Sequence, residues 1–374
     1  VDVALTAAYY GGGGLPGAPV EWRVSTRPAA YEPPGWSRWH FGRPLWWSRY
    51  GGGDVETLEG TTDASGSHRL RIDLVSADPP FAAALRAEGQ VSDLTRQVGS
   101  AAVDLVVHPA ALNTGLRLER GWIHEGDSAD LRVVVVDHEG RPVAGRAVQV
   151  ALERLRGTWW RPDAEPADGG RVACTVRSAA EPVPCRIAPD SAGPHRIRAD
   201  VRDDAGRVAR TEILLHVSGA PGAPDPRNPA GSIELVADRD EYQPGDTARI
   251  LVQPPFRPAE ALVTVRNGGV LSRERVRIEG SSHELAVAIT DAHIPVAQVR
   301  VELVDAEGGL GFAAGATELT VPPGTRALDV AVIPRDTVAA PGAPTTIDVE
   351  VRGPDDRPVV GAEGAVGMVD GAVL

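Results

Sequence analysis

The chain has 374 residues and carries 38 basic residues, all of them arginine, against 51 acidic ones, for a formal net charge of −13 at pH 7. A chain with this net negative charge lacks the positive field that attracts phosphate groups, so we expect no nucleic-acid partner. At 42% hydrophobic and 24% charged residues it is a globular chain of three or four domains, and 42 glycines and 32 prolines without a Gly-X-Y period predict frequent turns and exclude collagen.

The first residues, VDVALTAAYYGGGG, lack the charged and apolar regions of a signal peptide, which predicts a mature chain or a fragment. No apolar run along the chain approaches the roughly 18 residues that cross a bilayer. We therefore expect no membrane-spanning segment.

Aromatic residues are concentrated early in the chain. Five of the eight tryptophans lie between Trp22 and Trp47, and the segment 36–50 interleaves aromatic residues with arginines. Such a segment could form a platform for a sugar or a peptide, with arginine stacked on tryptophan. The alternative, which we favour, is a loop between strands that folds against its own sandwich.

Short segments in which every second residue is apolar predict β-strands. They occur at 131–136, 147–152, 195–201, 213–217, 248–252, 262–265, 299–303 and 347–351. Helical periodicity occurs at most once, briefly, around Phe81 to Glu88, so we expect under about a tenth of the residues to be helical. The pattern predicts an all-β protein.

Turn sequences rich in Asp, Gly and Pro separate these segments and predict hairpins. They are DASG from Asp63, DHEGRP from Asp137, DDAG from Asp203, DAEG from Asp305 and GPDDRP from Gly353. The clearest case is Asn267-Gly268, which lies between two strand-like runs where a primed two-residue turn is expected.

A glycine followed by small or acidic residues and then by a strand recurs about every 100 residues, the size of one seven-stranded sandwich. The instances are Gly17, Gly126, Gly245 and Gly342. We expect each glycine to turn the chain before the second strand of its sandwich. The Pro- and Gly-rich segment 218–232 predicts a linker. The resulting division is 1–109, 110–220, a linker at 221–231, 232–322, and an incomplete domain at 323–374.

The two cysteines, Cys174 and Cys185, lie on two strand-like runs separated by a short turn. Across a hairpin this spacing brings two Cα atoms within disulfide range, and we favour a disulfide over two free core thiols. A disulfide indicates an oxidising compartment. A zinc site would need further thiols or histidines nearby, which the sequence does not supply.

Nothing in the sequence indicates catalysis or a cofactor. His124 and His138 stand beside carboxylates, but both fall at turns, where exposed polar residues are ordinary. Neither a phosphate-binding loop nor a dinucleotide fingerprint is present. We therefore expect no enzyme activity, no cofactor and no metal.

Several segments together resemble the macroglobulin domains of bacterial alpha-2-macroglobulins. They are EYQPGDTARILVQPPFRPAEALVTVRNGGVL from Glu241, RALDVAVIPRDTVAAPGAPTTIDVEV from Arg326 and VGMVDGAVL from Val366. The segment from Ala4 to Val24 and the region with the cysteine pair resemble two further domains of the family. The resemblance implies a tandem array of seven-stranded immunoglobulin- or fibronectin-like β-sandwiches.

The resemblance also implies a function, the scaffold portion of a broad-spectrum protease-trapping inhibitor. In that family a protease cuts an exposed bait segment, the domains rearrange, and a Cys-Gln thioester holds the protease. The resemblance places Val369, Asp370 and Leu374 in the strand that leads into the bait segment. The thioester pattern C-x-E-Q is absent, so we expect this segment alone neither to react nor to trap.

A second hypothesis is an Ig-like stalk or adhesin segment, because tandem sandwiches serve many functions. The incomplete last domain favours the inhibitor. Either hypothesis, together with the expected disulfide, implies a periplasmic or extracellular protein, and membrane anchoring of the whole protein is left open.

Overall fold

The computed structural model describes residues 1–9, 12–43, 55–74, 80–93, 97–156, 166, 170–219, 231–324, 327–336 and 344–367. Within these ranges the chain forms 24 β-strands, and the single helical element is a 3₁₀ turn at Asp291–His293. The predicted all-β class is confirmed, and all eight predicted strand segments lie in strands. The brief helical pattern around Phe81 to Glu88 does not correspond to a helix, because residues 83–92 form a strand. Leu85 and Ala87 are buried while Arg86 between them is exposed, which is the alternation of a strand.

The first sandwich packs a four-stranded antiparallel sheet, in the order β4-β2-β6-β7, on the pair β1-β5. Its strands are β1 Asp2–Thr6, β2 Pro19–Pro28, β4 Val55–Thr61, β5 Ser67–Arg71, β6 Ala83–Ser92 and β7 Val98–Val107. Trp22 and Leu85 are among the largest buried side chains of its core.

The second sandwich packs the sheets β13-β10-β8-β3 and β12-β11-β14-β15-β9. Its strands are β3 His40–Phe41, β8 Asn113–Leu118, β9 Trp122–His124, β10 Ala129–Val136, β11 Ala147–Arg154, β12 Arg171–Arg177, β13 Val183–Ile187, β14 Gly193–Arg202 and β15 Val208–Ser218. Alternate residues of both sheets fill the core, led by Leu131, Ile187, Ile197 and Leu215. Strand β3 comes from the first part of the chain and joins the edge of β8.

The third sandwich has seven strands in the sheets β16-β17-β20 and β19-β18-β21-β22. They are β16 Leu235–Ala237, β17 Thr247–Val252, β18 Ala259–Asn267, β19 Gly269–Ile278, β20 His283–Ala288, β21 Val296–Asp305 and β22 Phe312–Thr320. A separate C-terminal hairpin follows, formed by β23 Asp329–Pro334 and β24 Ile347–Arg352.

The recurring glycine does not mark the same strand in every sandwich. Gly17, Gly126 and Gly245 all have positive φ and precede β2, β10 and β17. Strand β17 is the second strand of its sandwich, as predicted. Strand β10 follows the short strands β8 and β9, and it holds the matching place in its sheet, between β8 and β13. Strand β2 lies between β4 and β6, which is the third position, the place of β18. The first instance of the predicted repeat is therefore shifted by one strand, and Gly342 lies outside the described residues.

The acidic turns share one backbone geometry, in which the amide of the fourth residue donates to the carbonyl of the first. Only the turns at Asp203 and Asp305 join strands that pair with each other, β14 with β15 and β21 with β22. The turns at Asp63 and Asp137 lead from one sheet to the other instead. The hairpin prediction is wrong for these two, because a local turn does not decide to which sheet the next strand belongs.

The Asn267-Gly268 hairpin is present, but its turn is not of the primed type, because Asn267 does not share the positive φ of Gly268. The Asn267 side chain instead donates to the carbonyls of Ala292 and Ile294, 2.8 Å from each. Asn267 thereby ties the hairpin to the loop that precedes β21.

Candidate functional site

The residues that the resemblance places next to the bait segment, Val369, Asp370 and Leu374, lie outside the described residues. The described residues that precede them in the sequence are exposed. After β24 ends at Arg352, residues 353–367 form a turn and then run without a strand, and Val360 and Val366 are 97% and 66% exposed. Apart from the bridge between Arg352 and Pro358 and the bond from the Val359 amide to the Val351 carbonyl, this stretch is not held in a sheet.

The C-terminal hairpin itself is exposed on both faces, with Val330, Val332, Ile333 and Val349 all about half exposed. Ion pairs on its surface join Arg335 to Asp348. Among the described residues, nothing forms a second sheet against this hairpin.

The EYQPGD motif that carries the resemblance has a structural role at the start of the third sandwich. Tyr242 is buried and donates through its hydroxyl to Asp238 Oδ1 at 2.7 Å, and the amide of Arg239 donates to the same hydroxyl. Burial, reinforced by the bond to Asp238, raises the pKa of Tyr242 well above its ordinary value. Asp238 also accepts from the amide of Arg249 in β17. The tyrosine therefore fixes the chain entering this sandwich to its second strand.

We expected the aromatic segment to fold against its own sandwich, and this prediction is wrong. The segment packs against the second sandwich instead. Residues 29–43, which we call the aromatic clasp, pack Tyr31, Trp36 and Trp39 on Val134 and Val136 of β10. Tyr31 donates its hydroxyl hydrogen to the carbonyl of His138 at 2.6 Å, and Trp36 Nε1 donates to the carbonyl of Gly140 at 2.8 Å. Residues 44–50 of the predicted aromatic loop lie outside the described residues.

Strand β3 completes the clasp by pairing with β8, with Phe41 opposite Gly115. A Cβ at Gly115 would lie 2.5 Å from the Phe41 ring, so only glycine admits the aromatic side chain there. A glycine inside a strand is a sequence feature that could have indicated this close approach, but the residue that approaches it is identifiable only from the structure.

The clasp also meets buried charge on the second sandwich. Glu153 is 4% exposed and accepts from Arg196 and Arg198 at 2.6 to 2.8 Å. Glu212 lies in the same cluster, and its burial raises its pKa despite the nearby guanidinium groups of Arg196 and Arg43. The amide of Glu212 donates to the carbonyl of Gly42. These contacts hold the end of the clasp against β15.

One contact reaches from the clasp to the third sandwich. His40 Nε2 lies 3.1 Å from Asp240 Oδ2, and this hydrogen bond lowers the pKa of Asp240. The clasp therefore touches both following sandwiches.

The second and third sandwiches meet around Trp122, which is buried and donates through Nε1 to the carbonyl of Arg249 at 3.4 Å. The Gly121 amide donates to the carbonyl of Asp238 at 2.8 Å. His216 Nε2 lies 2.9 Å from Gln253 Oε1, and burial lowers the pKa of His216 to about 4. The sequence analysis did not predict this junction, because Trp122 and His216 have the local pattern of ordinary strand residues.

The structure joins Cys174 and Cys185 in a disulfide. The expected hairpin between them is wrong, because β12 pairs with β11 and β13 pairs with β10, in opposite sheets. The bond therefore crosslinks the two sheets of the second sandwich at their edge strands.

His124 and His138 are exposed and support no catalytic arrangement. His124 bonds to Ser218 Oγ through Nδ1, and His138 bonds to the carbonyl of Ala110 through Nε2. In the described part of the chain, no group of three or more His, Cys, Asp or Glu side chains could hold a metal ion. Over the same residues, no helix is long and apolar enough to cross a membrane.

The described residues define a class of protein first: a tandem array of β-sandwiches that contact their neighbours, followed by an exposed two-stranded hairpin. Comparison with known proteins shows what part of the chain is similar to. Residues 233–374 match the model of the alpha-2-macroglobulin bait region domain. This part of the chain is therefore similar to the bait region domain of alpha-2-macroglobulins.

Relatives show how much of such a protein the chain represents. It is 24% identical over 400 residues to an alpha-2-macroglobulin homolog of Nostoc sp., matching all of this chain and 21% of the relative. It is 28% identical over 227 residues to a homolog from Deinococcus radiodurans, matching 56% of this chain and 21% of the relative. The chain thus spans about a fifth of the length of these relatives.

One of the solved structures that the chain matches is the native conformation of Escherichia coli alpha-2-macroglobulin. The two share 16% sequence identity with a TM-score of 0.43, over 94% of this chain and 24% of the other.

Proposed function

We propose that this chain is scaffold and bait-region sequence of a broad-spectrum protease-trapping inhibitor. The observation that carries the proposal is the match of residues 233–374 to the bait region domain. A bait is cut by the protease that it attracts, so the partners are proteases and the chain acts as their substrate and not as a catalyst.

The organisation we propose divides the chain at 1–109, 110–220, a linker at 221–231, 232–322, and an incomplete domain at 323–374 that leads into the bait. The three separate hydrophobic cores support the first two boundaries and the third unit. Val369, Asp370 and Leu374 belong to the strand next to the bait. The exposed stretch 353–367 supports this assignment, because a protease needs its substrate extended and accessible.

The compartment we propose is the periplasm or the extracellular space, where attacking proteases are met. The disulfide between Cys174 and Cys185 supports this location, because such bonds persist in oxidising compartments.

Limited proteolysis of the chain tests the bait assignment. We expect elastase and a glutamate-specific protease to cut first beyond Arg352, where Val, Ala and Glu363 are exposed. The variant Glu363→Gln is the matched control and should lose only the glutamate-specific cut. First cuts within 218–232 would instead support the stalk hypothesis.

A second experiment tests trapping by the full-length protein. A trapped protease should still hydrolyse a small chromogenic peptide but lose activity on casein, because only the large substrate is excluded. The segment 1–374 alone should change neither rate. Equal loss of both activities would contradict trapping and indicate a conventional active-site inhibitor.

A further inference from the structure

Two histidines are stacked where the aromatic clasp meets the second sandwich. His108 follows β7, and His138 belongs to the turn after β10. Their imidazole rings have centroids 4.1 Å apart and planes inclined by 26°. The ring of Tyr31 in the clasp is edge-on to His108, with the two centroids 4.5 Å apart. Three segments that are distant in the sequence therefore meet at one pair of titratable rings.

The surroundings of the pair suit neutral rings. His138 Nε2 donates to the carbonyl of Ala110 at 3.0 Å, a bond that the neutral ring can make. Nδ1 of His108 is buried and, within the described residues, has no hydrogen-bond partner. An imidazolium carries a hydrogen on both nitrogens, so charging His108 leaves a buried donor unpaired. Burial and the neighbouring His138 accordingly lower the pKa of His108, and the Asn113 side chain offsets only part of this effect.

The charged groups around the pair do not compensate an added positive charge. Within the described residues, His40 is the one histidine at ion-pair distance from a carboxylate, and it is not part of the stack. The neighbouring carboxylates pair with arginines instead: Asp137 and Glu139 with Arg141 on the turn of His138, and Asp200 with Arg210 and Asp203 with Arg207 around the turn between β14 and β15. In the clasp, burial and the nearby Asp137 raise the pKa of Tyr31, so its hydroxyl stays neutral in acid.

We propose that acid releases the Tyr31 end of the aromatic clasp from the second sandwich, because the two stacked rings cannot both carry a charge. Two protons on the pair place like charges on adjacent rings and drive the rings apart. The turn of His138 also holds the clasp, since its carbonyl accepts from the Tyr31 hydroxyl and the carbonyl of Gly140 accepts from Trp36. A shift of this turn therefore breaks both bonds.

The other end of the clasp responds in the opposite sense. His40 Nε2 lies 3.1 Å from Asp240 Oδ2, and a proton on His40 makes this contact an ion pair. Strand β3 also stays paired with β8. Acid thus frees residues 29–39 and keeps residues 40–43 attached, so the first sandwich gains freedom relative to the second while both cores stay folded. This change of arrangement is independent of whether the protein traps proteases.

The size of the effect follows from the two protonation equilibria. A released histidine titrates near 6.5, whereas the stacked one binds its proton only at lower pH. Below about pH 6.5 the released form therefore binds more protons, and the equilibrium shifts towards it as the pH falls. Between pH 7.5 and pH 5.5, one such histidine should raise the fraction of released clasp about tenfold.

NMR of the whole 15N-labelled chain at these two pH values tests the release. The reporter is the protection of the Trp36 indole N–H, whose exchange rate is compared with that of tryptophan in an unfolded peptide at the same pH. The variants His108→Phe and His138→Phe keep an aromatic ring that does not titrate. His124→Phe is the matched control, since His124 is exposed and bonds to Ser218 and not to the clasp. Circular dichroism checks that each variant folds.

We expect the protection of the Trp36 indole to fall about tenfold from pH 7.5 to pH 5.5 in the wild type and in His124→Phe. In His108→Phe the fall should be under about twofold, and in His138→Phe it should be smaller than in the wild type, because one of the two charges is gone. A purely structural role of either ring would instead lower the protection equally at both pH values.

The ring signals of the two histidines give a second readout that needs no variant. In the wild type, the pair should take up its last proton well below pH 6.5, whereas His124 should titrate as an isolated histidine does. Three outcomes would overturn the proposal: protection of Trp36 that does not change with pH, an equal fall in the wild type and His108→Phe, and a His108 ring that titrates near pH 6.5. Simultaneous loss of all indole signals at pH 5.5 would also contradict it, because the sandwiches themselves would then unfold.

Discussion

The indole of Trp36 donates a hydrogen bond to the carbonyl of Gly140, 2.8 Å away and 104 residues later in the chain. Trp36 belongs to the aromatic clasp and Gly140 to a turn of the second sandwich, so this bond joins two sandwiches whose cores are separate. The carbonyl of Pro34 approaches the same glycine. The turn after β10 is therefore shaped both by its own strand and by the neighbouring sandwich.

Alanine substitutions at two turn glycines should separate the backbone requirement of the turn from its contact with the clasp. Gly140 and Gly206 hold the same position in Asp-x-x-Gly turns, with φ of 79° and 77°. A Cβ at Gly140 would lie 2.5 Å from the Pro34 carbonyl oxygen, whereas one at Gly206 would meet nothing within 4 Å. We expect Gly206→Ala to cost about 1 kcal/mol through backbone strain and Gly140→Ala about 1–3 kcal/mol more through the clash.

Urea unfolding followed by tryptophan fluorescence measures both variants. Gly140→Ala should also change the environment of Trp36, which Gly206→Ala should leave as it is. Equal destabilisation by the two substitutions would show that the contact between the clasp and Gly140 does not constrain this turn.

Removing the disulfide should destabilise the second sandwich specifically. The bond between Cys174 and Cys185 crosslinks opposite sheets, and closing a loop of this size contributes about 3 kcal/mol by restricting the unfolded chain. Thiol titration of the denatured, unreduced chain should find no free thiol. The double variant Cys174→Ala/Cys185→Ala should then match the reduced wild-type protein in its unfolding midpoint. Two titratable thiols would rule out the bond.

Acid should weaken the junction around His216. Burial lowers its folded pKa to about 4, whereas an unfolded histidine titrates near 6.5. Between these values the unfolded chain binds more protons than the folded one, so stability falls as the pH drops from about 6.5 towards 4. The full loss is about 3 kcal/mol. His216→Gln removes this titration and should flatten the dependence of unfolding free energy on pH across that window. Wild type and variant with parallel curves would contradict the prediction.

The hydroxyl of Tyr242 should stabilise the third sandwich. Tyr242→Phe leaves the buried Asp238 carboxylate with one donor fewer and should cost about 1–3 kcal/mol. Tyr9→Phe is the control, since Tyr9 is 51% exposed, and it should change stability by under about 0.5 kcal/mol. Thermal unfolding of the two variants under the same conditions gives the comparison. A Tyr242→Phe protein as stable as the control would show that the hydroxyl contributes nothing.

Much of the architecture follows from the sequence, because strand alternation is a local property. The eight predicted segments became strands since their side chains alternate between core and solvent along an extended backbone. The turns that begin at an aspartate formed for an equally local reason, because the glycine three residues after the aspartate accepts positive φ.

Only the tertiary structure decided which elements meet. The cysteines lie on opposite sheets, β2 holds the third position of its sandwich, and the aromatic clasp packs on the following sandwich. Each of these depends on contacts between residues far apart in the chain. An exposed tryptophan and one that covers a neighbouring sheet have the same local pattern, because what distinguishes them is the apolar surface that burial removes from water.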